Sequence, residues 1–200
     1  MTELRYDPDG LIPVVVQDYL TNEVLMVAWA NREALNLMME TGETHFWSRS
    51  RQEIWHKGES SGNVQKIKSI ETDCDRDTLL VRVEQVGVAC HTGEPTCFYE
   101  VVEGDPLGTM KIIPDLLRVI KDRRENPKEA SYTNRLMNNE TLMCKKIIEE
   151  AGELALAIKD DDEEEMAWEL ADLIYHVLVA LVAVDMPLES TFRKLAERRK

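Results

Sequence analysis

Two hundred residues with a formal net charge of −14, 44% hydrophobic and 31% charged, describe a folded chain of one large domain or two small ones. Residues 1–103 carry 9 basic against 18 acidic side chains and residues 104–200 carry 15 against 20, so neither half offers the basic face that nucleic acid requires. No apolar run long enough to span a bilayer and no signal peptide stand out, and the four cysteines read as reduced thiols, so a cytoplasmic protein with no membrane partner is expected.

The first half reads as mainly β with one clear helix. Residues 11–17 form a strand that Pro13 places at an edge or a strand start. Residues 24–30 form a second strand. Asn31 is an N-cap for a helix through about Glu40, stopped by Thr41-Gly42. His45-Phe46-Trp47 begins another strand.

The segment from Ser48-Arg49-Ser50-Arg51 through Trp55-His56-Lys57-Gly58-Glu59-Ser60-Ser61-Gly62-Asn63 is rich in glycine, serine and cations. It is either a phosphate-holding loop, offering backbone N–H groups and basic side chains, or an ordinary polar hairpin loop. Residues 64–70 and 79–86 are strand-like, and 98–102 read as a last strand.

Between the later strands lies Asp73-Cys74-Asp75-Arg76-Asp77. On an extended strand Asp73, Asp75 and Asp77 share one face and Cys74 points to the other. Three carboxylates on one face suit a hard cation such as Mg²⁺, or are a solvated strand end or turn. Cys74, Cys90 and Cys97 make a three-thiolate set fit for Zn²⁺ with an open position, or are buried small hydrophobes.

Glu103-Gly104-Asp105-Pro106-Leu107-Gly108 marks a composition shift, and a linker over 104–109 divides residues 1–103 from 110–200. Beyond it the periodicity is helical: 110–124, 139–159, 163–184 and 188–199. Glu150 and Glu153 are one turn apart on the second of these helices, and Glu169 and Asp172 on the third. An antiparallel hairpin about Asp161 sets Glu153 level with Glu169, and Glu150 level with Asp172. Four converging carboxylates cannot all stay ionised without a metal; the alternative is a solvated acidic stripe.

The chain resembles the bifunctional histidine-biosynthesis enzymes in which phosphoribosyl-AMP cyclohydrolase precedes phosphoribosyl-ATP pyrophosphohydrolase. In the first half the likeness rests on Asn31-Arg32-Glu33-Ala34-Leu35, the Ser48 and Trp55 segments, the aspartate run, and Cys90-His91-Thr92-Gly93 with Cys97-Phe98. In the second half it rests on Ser131-Tyr132-Thr133, Lys146, Glu149-Glu150, Glu153 and Glu169-Leu170-Ala171-Asp172. The second set is shared with the wider all-α nucleotide pyrophosphohydrolases.

The resemblance implies an N-terminal α+β, mainly β cyclohydrolase domain and a C-terminal all-α pyrophosphohydrolase domain. The substrates are phosphoribosyl-ATP and phosphoribosyl-AMP. Glu150, Glu153, Glu169 and Asp172 hold Mg²⁺, with Glu149 beside them as ligand or base and Lys146 on phosphate. Asp73, Asp75 and Asp77 hold a further Mg²⁺. Cys74, Cys90 and Cys97 hold Zn²⁺, in a homodimer where Cys74 faces the other two thiols across subunits.

His91 is the candidate general acid or base, because it adjoins a ligand, or else a structural histidine. Arg49, Arg51, Trp55, Lys57, Gly58, Glu59, Ser61, Gly62 and Asn63 contact substrate. Cys144 and His176 are expected to be dispensable for the chemistry. The competing readings are a general nucleotide pyrophosphohydrolase and a non-enzymatic zinc protein that dimerises through its helices.

Overall fold

The computed structural model describes residues 3–104 and 109–199. The chain divides into two compact units, 1–111 and 112–200. The linker expected over 104–109 falls largely on 105–108, outside the described residues.

In the first unit β1 (Ile12–Asp18), β2 (Val24–Ala30), β5 (Gln65–Thr72) and β6 (Leu79–Gln85) form a sheet in the order β2-β1-β6-β5. β1 and β6 run parallel, and the other two pairings are antiparallel. Apolar residues alternate along the paired strands, so Ile12, Val14 and Val16 of β1 and Leu79, Val81 and Val83 of β6 turn to one buried face. Helix α1 (Arg32–Thr41) seats Ala34, Leu35 and Met38 in the same core. The Asn31 side chain accepts from the Ala34 N–H at 2.8 Å, and Gly42 takes the left-handed conformation that ends the helix.

β3 (His45–Ser48) and β4 (Glu53–His56) form a separate hairpin, with Phe46 of β3 fully buried. The strand expected at 98–102 is absent, and that segment bends. Thr96 and Cys97 are bound to β2 through Thr96 Oγ1 to Val24 O, 2.7 Å, and Cys97 N to Leu25 O, 2.8 Å. Phe98, Tyr99, Val101 and Val102 then emerge exposed.

The second unit is all helical: α2 (Ile112–Glu125), α3 (Tyr132–Met137), α4 (Glu140–Asp160), α5 (Glu163–Ala183) and α6 (Leu188–Arg198). Leu117, Ile120, Leu136, Leu178, Val179 and Val182 form its core. α4 and α5 make the expected hairpin. Asp161 closes α4 in the left-handed region (φ 57°), and Asp162 caps α5 by accepting from the Glu165 N–H at 3.1 Å. Glu163, Glu164 and Glu165 place negative charge on the positive end of the α5 dipole.

α5 is long and apolar enough to cross a bilayer, with a mean hydropathy of 1.6 over 18 residues. The sequence reading sought an uninterrupted run, and Glu169 and Asp172 interrupt this one. In the fold, α5 packs along α4 and carries those two carboxylates near its middle.

Candidate active sites

Helices α4 and α5 gather the acidic residues of the second unit. Ligand oxygens of Glu149, Glu150 and Glu153 lie within 4.8 Å of one another. Glu150 is 3% exposed. Glu169 faces Glu150 from α5; burial raises its carboxyl to about 7, with a shared proton toward Glu150 and the charges of Glu153, Glu150 and Glu165 adding to the effect. Its Oε2 is buried and has no partner.

A buried, orphaned oxygen facing other carboxylates is the donor set of a hard divalent cation. Lys146 supplies positive charge here: its Nζ lies 2.5 Å from Glu150 Oε1 and 2.9 Å from Glu149 Oε1. These two hydrogen bonds hold the ammonium above its ordinary range and hold Glu149 below the usual carboxylate range. Glu169 therefore meets Glu150 as well as Glu153. Among the described residues, no group of three or more mutually close ligand atoms includes Glu169 or Asp172.

This charge crowding has a pH signature. Glu169 holds its proton more tightly in the folded chain, with a pKa near 7 against an ordinary 4.5. That contribution to stability is present below about 4.5 and is lost as pH rises through about 7. Glu149 and Asp185, both held low, titrate below this window. The metal-free chain is expected to melt at a higher temperature near pH 5.5 than near pH 8, and Mg²⁺ should abolish the difference. Thermal unfolding by circular dichroism at both pH values checks this.

In the first unit the aspartate run does not lie on a strand. Residues 73–78 are the turn between β5 and β6, with Arg76 in the left-handed region (φ 67°). The turn still brings Asp73, Asp75 and Asp77 together, with their oxygens within 4.8 Å of one another and all three side chains exposed. Asp73 Oδ1 accepts from the Asp77 and Thr78 N–H groups, each at 3.1 Å. Desolvation opposes ionisation of Asp73, but the hydrogen bonds from Thr78, Asp75 and Asp77 outweigh it and hold its carboxyl low. Cys74 is not on an opposite face: its Sγ lies 3.8 Å from Asp75 Oδ1 in the same turn.

Cys90 and Cys97 approach each other beyond the end of β6. Thr92 Oγ1 donates to Cys90 Sγ at 3.1 Å, and with the Thr92 backbone it lowers the Cys90 pKa. Burial raises the Cys97 pKa, and the neighbouring Cys90 raises it further. His91 Nδ1 is 4.0 Å from Cys90 Sγ, and the ring is exposed.

Lys57 stands beside both thiols. Burial lowers its pKa against the opposing pull of Cys97 and Cys90, and its Nζ donates to Asn63 O at 3.3 Å. The loop from Lys57 to Asn63 is tightly closed. A Cβ on Gly58 (φ 87°) would come within 2.4 Å of the Asn63 carbonyl carbon. Glu59, Ser61 and Gly62 lie exposed on this loop.

Around it, Trp55 packs on Phe46 with centroids 5.2 Å apart, and the Arg49 guanidinium stacks 3.4 Å over the Trp29 ring. Arg51 pairs with Glu53 at 3.2 Å. Thr92 is the polar contact that the motif reading passed over; its place two residues after Cys90 was the available signal.

The three thiols are not brought together in one chain. The 73–78 turn precedes Leu79, while Cys90 follows Gln85. β6 thus stands between them, a strand whose six steps span about 20 Å. Thiolates sharing a zinc ion each lie only about 2.3 Å from it.

Residues 26–99 match the family description phosphoribosyl-AMP cyclohydrolase, and residues 113–199 match phosphoribosyl-ATP pyrophosphohydrolase. Curated relatives carrying the name histidine biosynthesis bifunctional protein HisIE align along almost the whole chain. One from Nostoc sp. is 52% identical over 99% of this chain and 93% of its own. One from Caldanaerobacter subterraneus is 48% identical over 99% of this chain and 97% of its own. One from Lactococcus lactis is 50% identical over 95% of this chain and 89% of its own. The chain belongs to this bifunctional family. It is a hydrolase of histidine biosynthesis whose β-rich unit corresponds to the cyclohydrolase and whose helical unit corresponds to the pyrophosphohydrolase.

Proposed function

We propose that the helical unit acts first, hydrolysing phosphoribosyl-ATP to phosphoribosyl-AMP and pyrophosphate, and that the β-rich unit then opens the adenine ring of the product at its N1–C6 bond. The functional boundary lies in the 104–109 linker. In the helical unit Glu150, Glu153 and Glu169 hold Mg²⁺, with Asp172 one turn beyond Glu169. Mg²⁺ there neutralises triphosphate charge. Glu149 orients the attacking water, and Lys146 exchanges its carboxylate contacts for phosphate.

In the β-rich unit Cys90, Cys97 and a second chain's Cys74 hold Zn²⁺, which when bound makes water a nucleophile near neutral pH. His91, beside Cys90, moves the proton between water and the opening ring. Asp73, Asp75 and Asp77 hold Mg²⁺ close to the substrate phosphate. Lys57 and the backbone of Gly58, Gly62 and Asn63, with Arg49, Arg51, Trp55, Glu59 and Ser61, bound the substrate. The reducing cytoplasm suits this chemistry, because thiols joined as a disulfide cannot ligate the ion.

The observation that carries the shared zinc site, and with it a homodimer, is the strand-length separation of Cys74 from Cys90 and Cys97. The helical unit supports a second copy independently: Ile148, Leu156, Ile158 and Trp168 on α4 and α5 are all exposed, Trp168 to 64%.

The test follows pyrophosphate release and ring opening separately on phosphoribosyl-ATP, with and without a zinc chelator. It then mixes Cys74→Ala with Cys90→Ser chains, each inactive in ring opening. Half of randomly paired dimers are mixed and each has one whole site of two, so ring opening should return to about a quarter of the wild-type rate. No recovery after subunit exchange would mean that each chain builds its own zinc site.

A further inference from the structure

Behind the acidic cluster a polar chain runs inward from the partly exposed Tyr132 to a buried histidine. His176, on the inner face of α5, is 3% exposed. Its Nδ1 lies 2.7 Å from the carbonyl oxygen of Asp172, and its Nε2 lies 3.1 Å from the Tyr132 hydroxyl. A carbonyl oxygen only accepts, so Nδ1 carries the hydrogen. In the neutral ring Nε2 is then an acceptor, and the Tyr132 hydroxyl donates to it.

The same Nδ1 is 3.9 Å from Glu150 Oε1, beyond hydrogen-bond range. A ring that could quench the buried carboxylate lies against it, yet its hydrogen points to a backbone carbonyl. Glu150 Oε1 is thereby left to a cation, the part Lys146 Nζ plays at 2.5 Å.

We infer that Tyr132 and His176 are positioning residues for the divalent-cation site of the helical unit. The Tyr132 hydroxyl fixes the His176 ring so that its N–H stays on the Asp172 carbonyl and off Glu150. This rests on the reading that Glu150, Glu153 and Glu169 hold Mg²⁺. Without the hydroxyl, the ring is free to turn its N–H onto Glu150 and compete with the ion. Without the ring, Glu150 loses the wall that sets its rotamer, and the α5 turn carrying Asp172 loses a tie. Groups that orient ligands in this way typically govern metal affinity or activity by about 10–100-fold.

The fold supplies its own control. Thr133 Oγ1 and the Tyr175 hydroxyl, 2.8 Å apart, join the same two helices one residue away. That bond involves no member of the acidic cluster. If the Tyr132–His176 bond were only a second tie between α3 and α5, breaking either should have the same effect.

The experiment is calorimetric titration of Mg²⁺ into the full chain, with thermal melts in parallel. The heat lost in Glu153→Gln identifies the helical site. Tyr132→Phe and His176→Gln are expected to weaken that binding about tenfold or more. Thr133→Val should lower the melting temperature and leave Mg²⁺ affinity unchanged. His176→Asn, whose amide still reaches the Asp172 carbonyl, should recover part of what His176→Gln loses.

Unchanged Mg²⁺ affinity in Tyr132→Phe, with a melt lowered like that of Thr133→Val, would overturn the inference. If His176 variants fail to fold, Tyr132→Phe decides alone, since its ring remains in place. A wild-type chain that takes up no Mg²⁺ overturns the metal reading together with this one. Wild-type uptake with unmoved variants overturns this one only.

Discussion

Cys90→Ser abolishes ring opening, by about a thousandfold or more, and leaves pyrophosphate release at the wild-type rate. The size follows from what bound zinc does, which is to bring the pKa of water from about 15.7 to about 7. The choice of residue follows from the site. Cys90 is the buried thiol whose pKa Thr92 lowers, so it is the one prepared to ligate as thiolate. Serine keeps the shape and a hydrogen-bonding group but not a thiolate. Separate assays of the two products on phosphoribosyl-ATP check it. Loss of both activities would show that the two units do not carry separate sites.

Glu169→Gln has the complementary outcome, and it splits stability from activity. Pyrophosphate release falls by at least about a hundredfold, the upper end of what losing even a group behind the ligands costs a metal site. Ring opening of supplied phosphoribosyl-AMP is unaffected. The metal-free variant melts higher than the wild type at neutral pH and above, because the amide removes one of the mutually repelling carboxylates beside Glu150 and Glu153. It also loses the pH dependence of melting between about 4.5 and 7. A normal pyrophosphatase rate would remove Glu169 from the metal set, whatever the melt.

Local patterns carried most of the fold. The apolar stretch over residues 11–17 marked β1, Asn31 and Gly42 bounded α1, and the mirrored spacing about Asp161 gave the α4–α5 hairpin. The failures also have local causes. β4 went unread because Gln52 makes its turn in the left-handed region (φ 57°) without a glycine or asparagine to announce it. α3, six residues long, is too short to show a period. The aspartates alternate like a strand, but Arg76 turns the backbone back within the run. At 98–102 apolar residues suggested a strand, but the backbone is drawn aside by the bonds of Thr96 and Cys97 to β2.

The acidic residues and thiols were legible by type. What the sequence withheld was distance. The strand read over residues 79–86 already stands between Cys74 and Cys90, but nothing local says that it runs parallel to β1. Nor did the sequence place His176, read as dispensable for the chemistry, between the Tyr132 hydroxyl and the Asp172 carbonyl.

The separation of the thiols along β6 also changes where metal-binding free energy goes. In a small zinc domain that energy, about 10–16 kcal/mol, folds the chain that owns the ligands. Here the thiols proposed as ligands, at either end of β6, belong to a unit whose core of β1, β6 and α1 contains none of them. An ion that takes thiols from both ends must draw them from two molecules, so its free energy goes into association. On the proposed reading, zinc supply then bears on how tightly the β-rich units pair, while the core of each is left standing.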